Sequence, residues 1–189
     1  MDSGQGLRFK IASEESEIEQ IYELNYRTFV EEIPQHEPNP AGSLVDTFDK
    51  ENTYIIALKS GRLVGMIAVR DKRPFSLERK LENLDSYLPE ARSVCELRLL
   101  SVEKSLRNSM VFRGLARRLA VYCNRKGYDL ALISAFTRRV PMYRRFGFVP
   151  FGPLIGKPGA FFQPMYLTRA AFERHSAALH HMRSVGETK

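Results

Sequence analysis

The sequence predicts an α/β fold in which a mixed, mostly antiparallel sheet is flanked by helices on both faces. Three observations predict it. Residues 94–148 read as strand, loop, helix, strand, helix, a βαβ crossover with a further helix behind it. Thr53–Lys59 and residues 63–70 are two β-rich runs across the short turn Ser60-Gly61-Arg62, the pattern of an antiparallel hairpin. A helical spacing of apolar residues precedes that hairpin. Hairpin strands followed by a parallel crossover make the sheet mixed.

The elements follow in chain order. Leu7–Ile11 supplies a first strand. Ser16-x-x-Glu19 has the composition of a capping box, and it opens a helix in which Ile18, Ile21, Tyr22, Asn25, Phe29 and Ile33 fall largely on one face, ending before Pro34. Residues 34–43 hold three prolines and a glycine and form a loop, and His36 within it has no second ligand that would suggest a metal. Residues 71–90 are charged and carry Leu77, Leu81, Leu84 and Leu88 at intervals of three or four, which predicts a helix or a long excursion before the central strand.

Val94–Val102 is that central strand, 103–108 a polar loop, and 109–126 a helix that Gly127 stops; 130–135 is a continuous apolar run. In such a crossover the helix starts near the C-terminal edge of the first strand, where its unpaired backbone N–H groups favour an anion. Val149-Pro-Phe-Gly-Pro153 turns the chain, 160–167 supply a last strand broken at Pro164 as an edge or splayed strand would be, and 168–181 form a short terminal helix before a frayed tail at 182–189.

With 189 residues the chain suits a single domain spanning 1–189. Hydrophobic residues at 43% and charged residues at 27% exclude a disordered chain. No apolar run approaches the roughly 18 residues of a membrane span and no apolar leader opens the chain, so a cytoplasmic location is expected. Cys95 and Cys123 lie among apolar residues and read as buried thiols rather than as a disulfide or a zinc site. The net charge of +7 is uneven: between Arg107 and Arg145, nine Arg and one Lys stand against the single acid Asp129. The Arg113, Arg117, Arg118 and Arg125 set is either a solvated face or a dock for a polyanion. Candidate polyanions are a phosphopantetheine cofactor, an acidic carrier protein and nucleic acid. Nucleic acid is the weakest, because no aromatic platforms interleave with the arginines.

Tyr143-Arg-Arg-Phe-Gly147-Phe148 after a strand resembles the Tyr-x-x-x-Gly-Phe segment of the GNAT superfamily of N-acyltransferases. Glu96-Leu-Arg-Leu-Leu-Ser-Val102, followed five residues later by Arg107, resembles the strand and pyrophosphate loop of the same superfamily. The resemblance covers about residues 7 to 168 in element order and is specific over 94–148. It implies an acyltransferase that uses acyl-CoA or acyl-phosphopantetheine on acyl carrier protein. It also implies a donor site in which the edge of Leu100, Ser101 and Val102 pairs with pantetheine and the Arg107-Asn108-Ser109-Met110-Val111-Phe112 loop binds phosphates. The superfamily pattern is Gln/Arg-x-x-Gly-x-Gly/Ala; Met110 and Phe112 fill both glycine positions, which crowds a bulky pyrophosphate. Asp46-x-x-Asp49, Arg70 and an acid in the central strand resemble the branch of acyl-homoserine-lactone synthases and N-acyl amino acid synthases, and Arg27 and Phe29 resemble its early Arg and Phe. Where the lactone synthases have Glu-x-x-Arg, this chain has Glu96-x-Arg98.

Acyl transfer from a thioester to an amine needs an anchored donor, a deprotonated amine and a stabilised leaving thiolate. The resemblance makes Tyr143 the candidate acid; the alternative is that its ring only packs against Phe146 and Phe148. Glu96 is the candidate base through water, or is simply salt-bridged to Arg98 or Arg70. Arg27, Asp46, Asp49, Arg70 and Arg98 are candidates for holding a small-molecule amine acceptor. No serine or cysteine shows a nucleophile's setting, so attack is expected to be direct. Three rivals stand beside this reading: a short-chain acetyltransferase, a degenerate domain that binds an acyl thioester or a partner without turnover, and a basic nucleic-acid-binding protein.

Overall fold

The structure is a computed structural model that describes residues 6–107 and 110–175. The described residues form two compact units, one made of 6–72 with 97–107, 110–127 and 157–160, the other of 73–96, 128–156 and 161–175.

The first unit holds β1 (Leu7–Ile11), β2 (Thr53–Lys59), β3 (Arg62–Arg70) and most of β4 (Val94–Val102), with helices α1 (Glu15–Tyr26) and α2 (Met110–Lys126). β1, β2 and β3 are antiparallel neighbours. The β2–β3 turn has positive φ at both Ser60 (51°) and Gly61 (78°), the twist that suits a two-residue hairpin. Ile21 and Leu24 of α1 pack against Tyr54, Ile56, Leu58, Leu63, Met66 and Ala68. On the opposite face Val111 and Leu115 of α2 lie over Gly65, where a Cβ would stand 2.9 Å from Val111 Cγ1. Gly114 faces the ring of Phe9, whose nearest atom would be 2.0 Å from a Cβ there. Two glycines thus seat α2. Covered on both faces, β2 and β3 are buried along nearly their whole length.

The first helix departs from the expected cap. It opens at Glu15, and Glu17 accepts the N–H groups of Ser13 (2.9 Å) and Glu14 (3.2 Å), leaving Ser16 inside the first turn. Lys10 at the end of β1 pairs with Glu17 at 2.7 Å, so the strand end sets the helix start. After Tyr26 the helix widens into a π-helix over Arg27–Glu32, closed by the Ile33 N–H on Thr28 O at 2.9 Å. Single π turns of this kind concentrate at functional sites.

In the second unit the start of β4 pairs in parallel with β5 (Leu130–Phe136), from Val94↔Leu130 to Glu96↔Leu132. β8 (Ala160–Thr168) runs antiparallel to β5 from Leu130↔Thr168 to Phe136↔Phe162. Its other side takes β6 (Val149–Pro150), and β7 (Ile155–Lys157) pairs with it as well. The expected broken edge strand is therefore a continuous, flanked one. Pro164 lacks a donor, yet its carbonyl accepts the Phe151 N–H at 3.0 Å, so the strand loses little there. α3 (Val140–Arg145) follows β5. Residues 71–90 form turns and a short 3-10 helix at Leu84–Tyr87 rather than an α-helix. Pro74 and Pro89 bound the segment and Asn83 sits in the left-handed region (φ 52°), which breaks the leucine periodicity, while Phe75, Leu77, Leu81 and Leu84 are all buried.

Cys95 is buried and Cys123 half-buried, and neither is part of a disulfide among the described residues. Among the described residues no helix is long and apolar enough to cross a membrane. Of the expected terminal helix, 169–175 are helical. Residues 176–181 and the tail at 182–189 lie outside the described residues.

Candidate active site

In the first unit, the loop before β2 meets the C-terminal end of β3 and the middle of β4. Arg98 of β4 makes a two-pronged ion pair with Asp46, Nη1 to Oδ2 at 2.6 Å and Nη2 to Oδ1 at 2.9 Å. Asp46 also accepts the Phe48 N–H (3.1 Å) and the Asn52 amide (2.8 Å). Burial works against its charge, but Arg98, Asn52 and the Phe48 N–H outweigh it and hold the carboxyl below its ordinary value. Arg70 of β3, its side chain 1% exposed, pairs with Glu51 at 2.5 Å. Both guanidiniums lie over the Phe48 ring, Arg70 at 3.9 Å and Arg98 at 4.8 Å from its centre. Asp49 accepts the hydroxyls of Tyr22 and Tyr54, both at 2.8 Å. Burial, with Asp49 alongside, pushes the Tyr22 phenol up to about 12. Asn52 donates to Tyr54 (3.2 Å) and to Asp46, so both aspartates belong to one network. Four of the five candidate acceptor residues, Asp46, Asp49, Arg70 and Arg98, thus converge on Phe48.

The fifth, Arg27, lies elsewhere. It lines a cleft of about 690 Å³ together with Thr28, Glu32, Val102, Lys104 and Arg107. Arg27 reaches Glu103 at 3.3 Å, and Arg62 makes a close contact with the same carboxylate. Arg107 is anchored by Nε on Val102 O (3.0 Å), while its two terminal nitrogens face both oxygens of Glu32, Nη2 to Oε2 at 2.5 Å. The Glu32 hydrogen bond raises the guanidinium above its ordinary value, against burial.

The donor residues read from the sequence divide accordingly. Val102 and Arg107 line the cleft. Ser101 is buried, and its hydroxyl has no partner among the described residues. Leu100 is half-buried and follows Leu99, whose φ of 55° bends β4; such a strained non-glycine residue marks a functional candidate. Met110 is exposed, so one filled glycine position carries a side chain that points to solvent. Val111 serves packing over Gly65, and Phe112 is half-buried. Asn108 and Ser109 lie outside the described residues. Of the basic helix face, Arg113 and Arg117 are exposed, whereas Arg118 is half-buried with its Nε lacking an acceptor among the described residues.

In the second unit Glu96, 1% exposed, accepts hydrogen bonds from Ser76 and Leu77. Its Oε2 takes the Ser76 N–H (2.8 Å), and its Oε1 takes the Ser76 hydroxyl (2.6 Å) and the Leu77 N–H (3.2 Å). The excursion at 71–90 therefore delivers donors to the central-strand acid. Tyr143 on α3 packs edge-on against Phe148, ring centres 5.6 Å apart. Burial pushes its phenol up to about 12, with the Arg139 charge pulling down.

Sequence reasoning missed Phe48, Asn52, Ser76, Glu32 and Glu103. Only Phe48 and Asn52 carried a local signal, being inside or next to Asp46-x-x-Asp49. Among the described residues no three His, Cys, Asp or Glu side chains gather as a metal site.

The family model for the N-acyl amino acid synthase FeeM matches residues 20–171. No curated protein matches the chain by sequence. Among solved structures it is similar to a CoA-dependent acyl-homoserine lactone synthase, BjaI, with SAM and isopentyl-CoA: 20% identity over 93% of this chain and 90% of that one, TM-score 0.76. It is similar to the AHL synthase LasI, at 18% identity over 89% and 95%, TM-score 0.68. It is also similar to FeeM, an N-acyl amino acid synthase from uncultured soil microbes, at 13% identity over 93% and 96%, TM-score 0.69. These likenesses show a shared fold.

Proposed function

The chain belongs to the FeeM family of N-acyl amino acid synthases, and on that premise we propose that it moves an acyl chain from a thioester to the amine of an amino acid. The match over residues 20–171 is the observation that carries this reading. It makes the chain an acyltransferase and favours acyl transfer over the binding-only and nucleic-acid alternatives. The donor is an acyl-CoA, the class of ligand in the BjaI structure. Phosphopantetheine on an acidic carrier protein is the second source, docking on the exposed Arg113 and Arg117.

The amine nitrogen attacks the thioester carbonyl carbon. The C–N bond forms, the tetrahedral oxyanion collapses, the C–S bond breaks, and the amide and a free thiol leave. In our assignment the amine's proton passes through water to Glu96, which three neutral donors hold in one position. Tyr143 donates to the departing sulfur. With its phenol near 12 and a thiol near about 8.5, full proton transfer to sulfur is uphill, so Tyr143 acts as a hydrogen-bond donor and the thiolate takes its proton from water. Arg107 and Lys104 take the donor's phosphate. Asp46, Asp49, Arg70 and Arg98 hold the acceptor side through the Phe48 network.

The test is direct. The purified protein is incubated with acyl-CoAs and the common amino acids, following amide by mass spectrometry and thiol by a colorimetric reagent. Amide with at least one amino acid is expected. Thiol release without amide in every combination overturns the assignment.

A further inference from the structure

We propose that Glu32 is an intramolecular competitor for the donor's phosphate: it occupies Arg107, gives it up when the donor binds, and so sets donor affinity and the speed of thiol release. The proposal rests on the thioester-donor reading above.

Arg107 presents a fork. Its Nε is fixed on Val102 O, which leaves the two terminal nitrogens aimed in one direction, and both are taken by the two oxygens of Glu32. Two parallel N–H···O bonds are also the way a guanidinium grips a phosphate. A phosphate entering this cleft therefore meets an arginine already holding an anion of matching geometry. Glu32 is able to leave. Its side chain is 37% exposed, and it is the last residue of the π-helix, beyond which the chain enters the proline loop. The neighbouring cations are treated alike, since Arg27 and Arg62 are both drawn to Glu103. Lys104 is exposed and makes no ion pair among the described residues, so it meets an incoming phosphate without exchange. Binding is then an exchange of one anion for another on Arg107. Its affinity is lower than four lining cations suggest, and the thiol product leaves faster because Glu32 returns to the fork.

The experiment is calorimetric titration of CoA, 4′-phosphopantetheine and pantetheine into the wild-type protein, Glu32→Gln, Arg107→Gln and the double variant. Glu32→Gln should tighten CoA by about three- to tenfold, the range of a half-exposed two-pronged ion pair, mostly through slower dissociation. Pantetheine, which has no phosphate, should not change. In the Arg107→Gln background the gain should vanish. A gain for CoA alone assigns the competition to the diphosphate, and an equal gain for 4′-phosphopantetheine assigns it to the phosphate the two share. Glu32→Asp, too short for both prongs, should give an intermediate gain and guards against a folding defect in the Gln variant. If CoA binds the wild type but is unchanged or weakened by both Glu32 variants, the competitor role is wrong and the donor reading stands. If CoA binds none of the four proteins, both fall.

Discussion

Replacing Glu96 by Gln tests the catalytic assignment and the local structure together. The carboxylate accepts from Ser76 N, Ser76 Oγ and Leu77 N, at 2.8, 2.6 and 3.2 Å. Hydrogen bonds to a charged acceptor contribute about 1.5–3 kcal/mol each. A glutamine keeps one oxygen and turns the other into a donor, which then faces either the Ser76 or the Leu77 N–H. At least one bond is lost and one buried N–H is left unpaired, so the substitution should cost about 3 kcal/mol in stability. At about 2–4 °C per kcal/mol for a chain of this size, melting should fall by about 6–12 °C. A second effect should be seen below that melting range: turnover at neutral pH falls about a hundredfold and recovers partly at higher pH, where more of the acceptor amine is already neutral. Ser76→Ala separates the two. It removes one donor, costs about 1–2 kcal/mol, keeps the carboxylate and should keep most turnover. The assays are thermal melting and a pH–rate profile on both variants. Unchanged melting of Glu96→Gln would show that the carboxylate does not carry these bonds, and an unchanged pH profile would falsify the base assignment.

Asp46→Asn strips Arg98 of its two-pronged partner in a pair whose side chains are 12% and 8% exposed, so a loss of about 3 kcal/mol at pH 7 is expected in chemical denaturation. Because the folded chain holds the Asp46 carboxyl below its unfolded value of about 3.9, its contribution is present above that pH and fades as pH falls through the folded value. The wild-type advantage over Asp46→Asn should therefore shrink below about pH 4, and a constant difference down to pH 2 argues against it. Tyr143→Phe keeps the ring against Phe148 and should lower turnover by about tenfold or more with little change in melting, while wild-type turnover stays flat to about pH 10 because the phenol remains neutral. Full turnover in Tyr143→Phe, with product release shown not to limit the rate, removes its role. Each buried methylene contributes about 0.8 kcal/mol, so donors longer than acetyl should turn over best across an acetyl-to-palmitoyl series; fastest turnover with acetyl refutes that. Arg113→Glu with Arg117→Glu should raise the Michaelis constant for a carrier-bound donor and leave that for acyl-CoA nearly unchanged; equal effects on both make the face plain solvated surface.

What the sequence by itself determined was local. The β2–β3 hairpin, the bounds of β4, the stop of α2 at Gly127 and the helix bearing Tyr143 depend on period, turn residues and caps within a few positions, and each is where the pattern placed it, except that Arg62, read as part of the turn, opens β3. Asp46, Asp49 and Arg70 were legible only as candidates, through a motif resemblance, and Arg98 through its departure from that motif. Who touches whom was not legible. Glu96 takes its donors from a segment twenty residues earlier, Arg98 pairs with Asp46 fifty-two positions away, and Arg107 meets Glu32 across seventy-five. The leucines at 71–90 had helical spacing, yet a left-handed Asn83 and bounding prolines unwound it. Pro164 suggested an edge, yet β6 and β7 both pair with that strand. Such pairings are decided by strand order, by register and by where two glycines let α2 settle. A charged side chain finds its partner only after those are in place, because the cost of burying it is met by whichever opposite charge or donor the fold brings within reach.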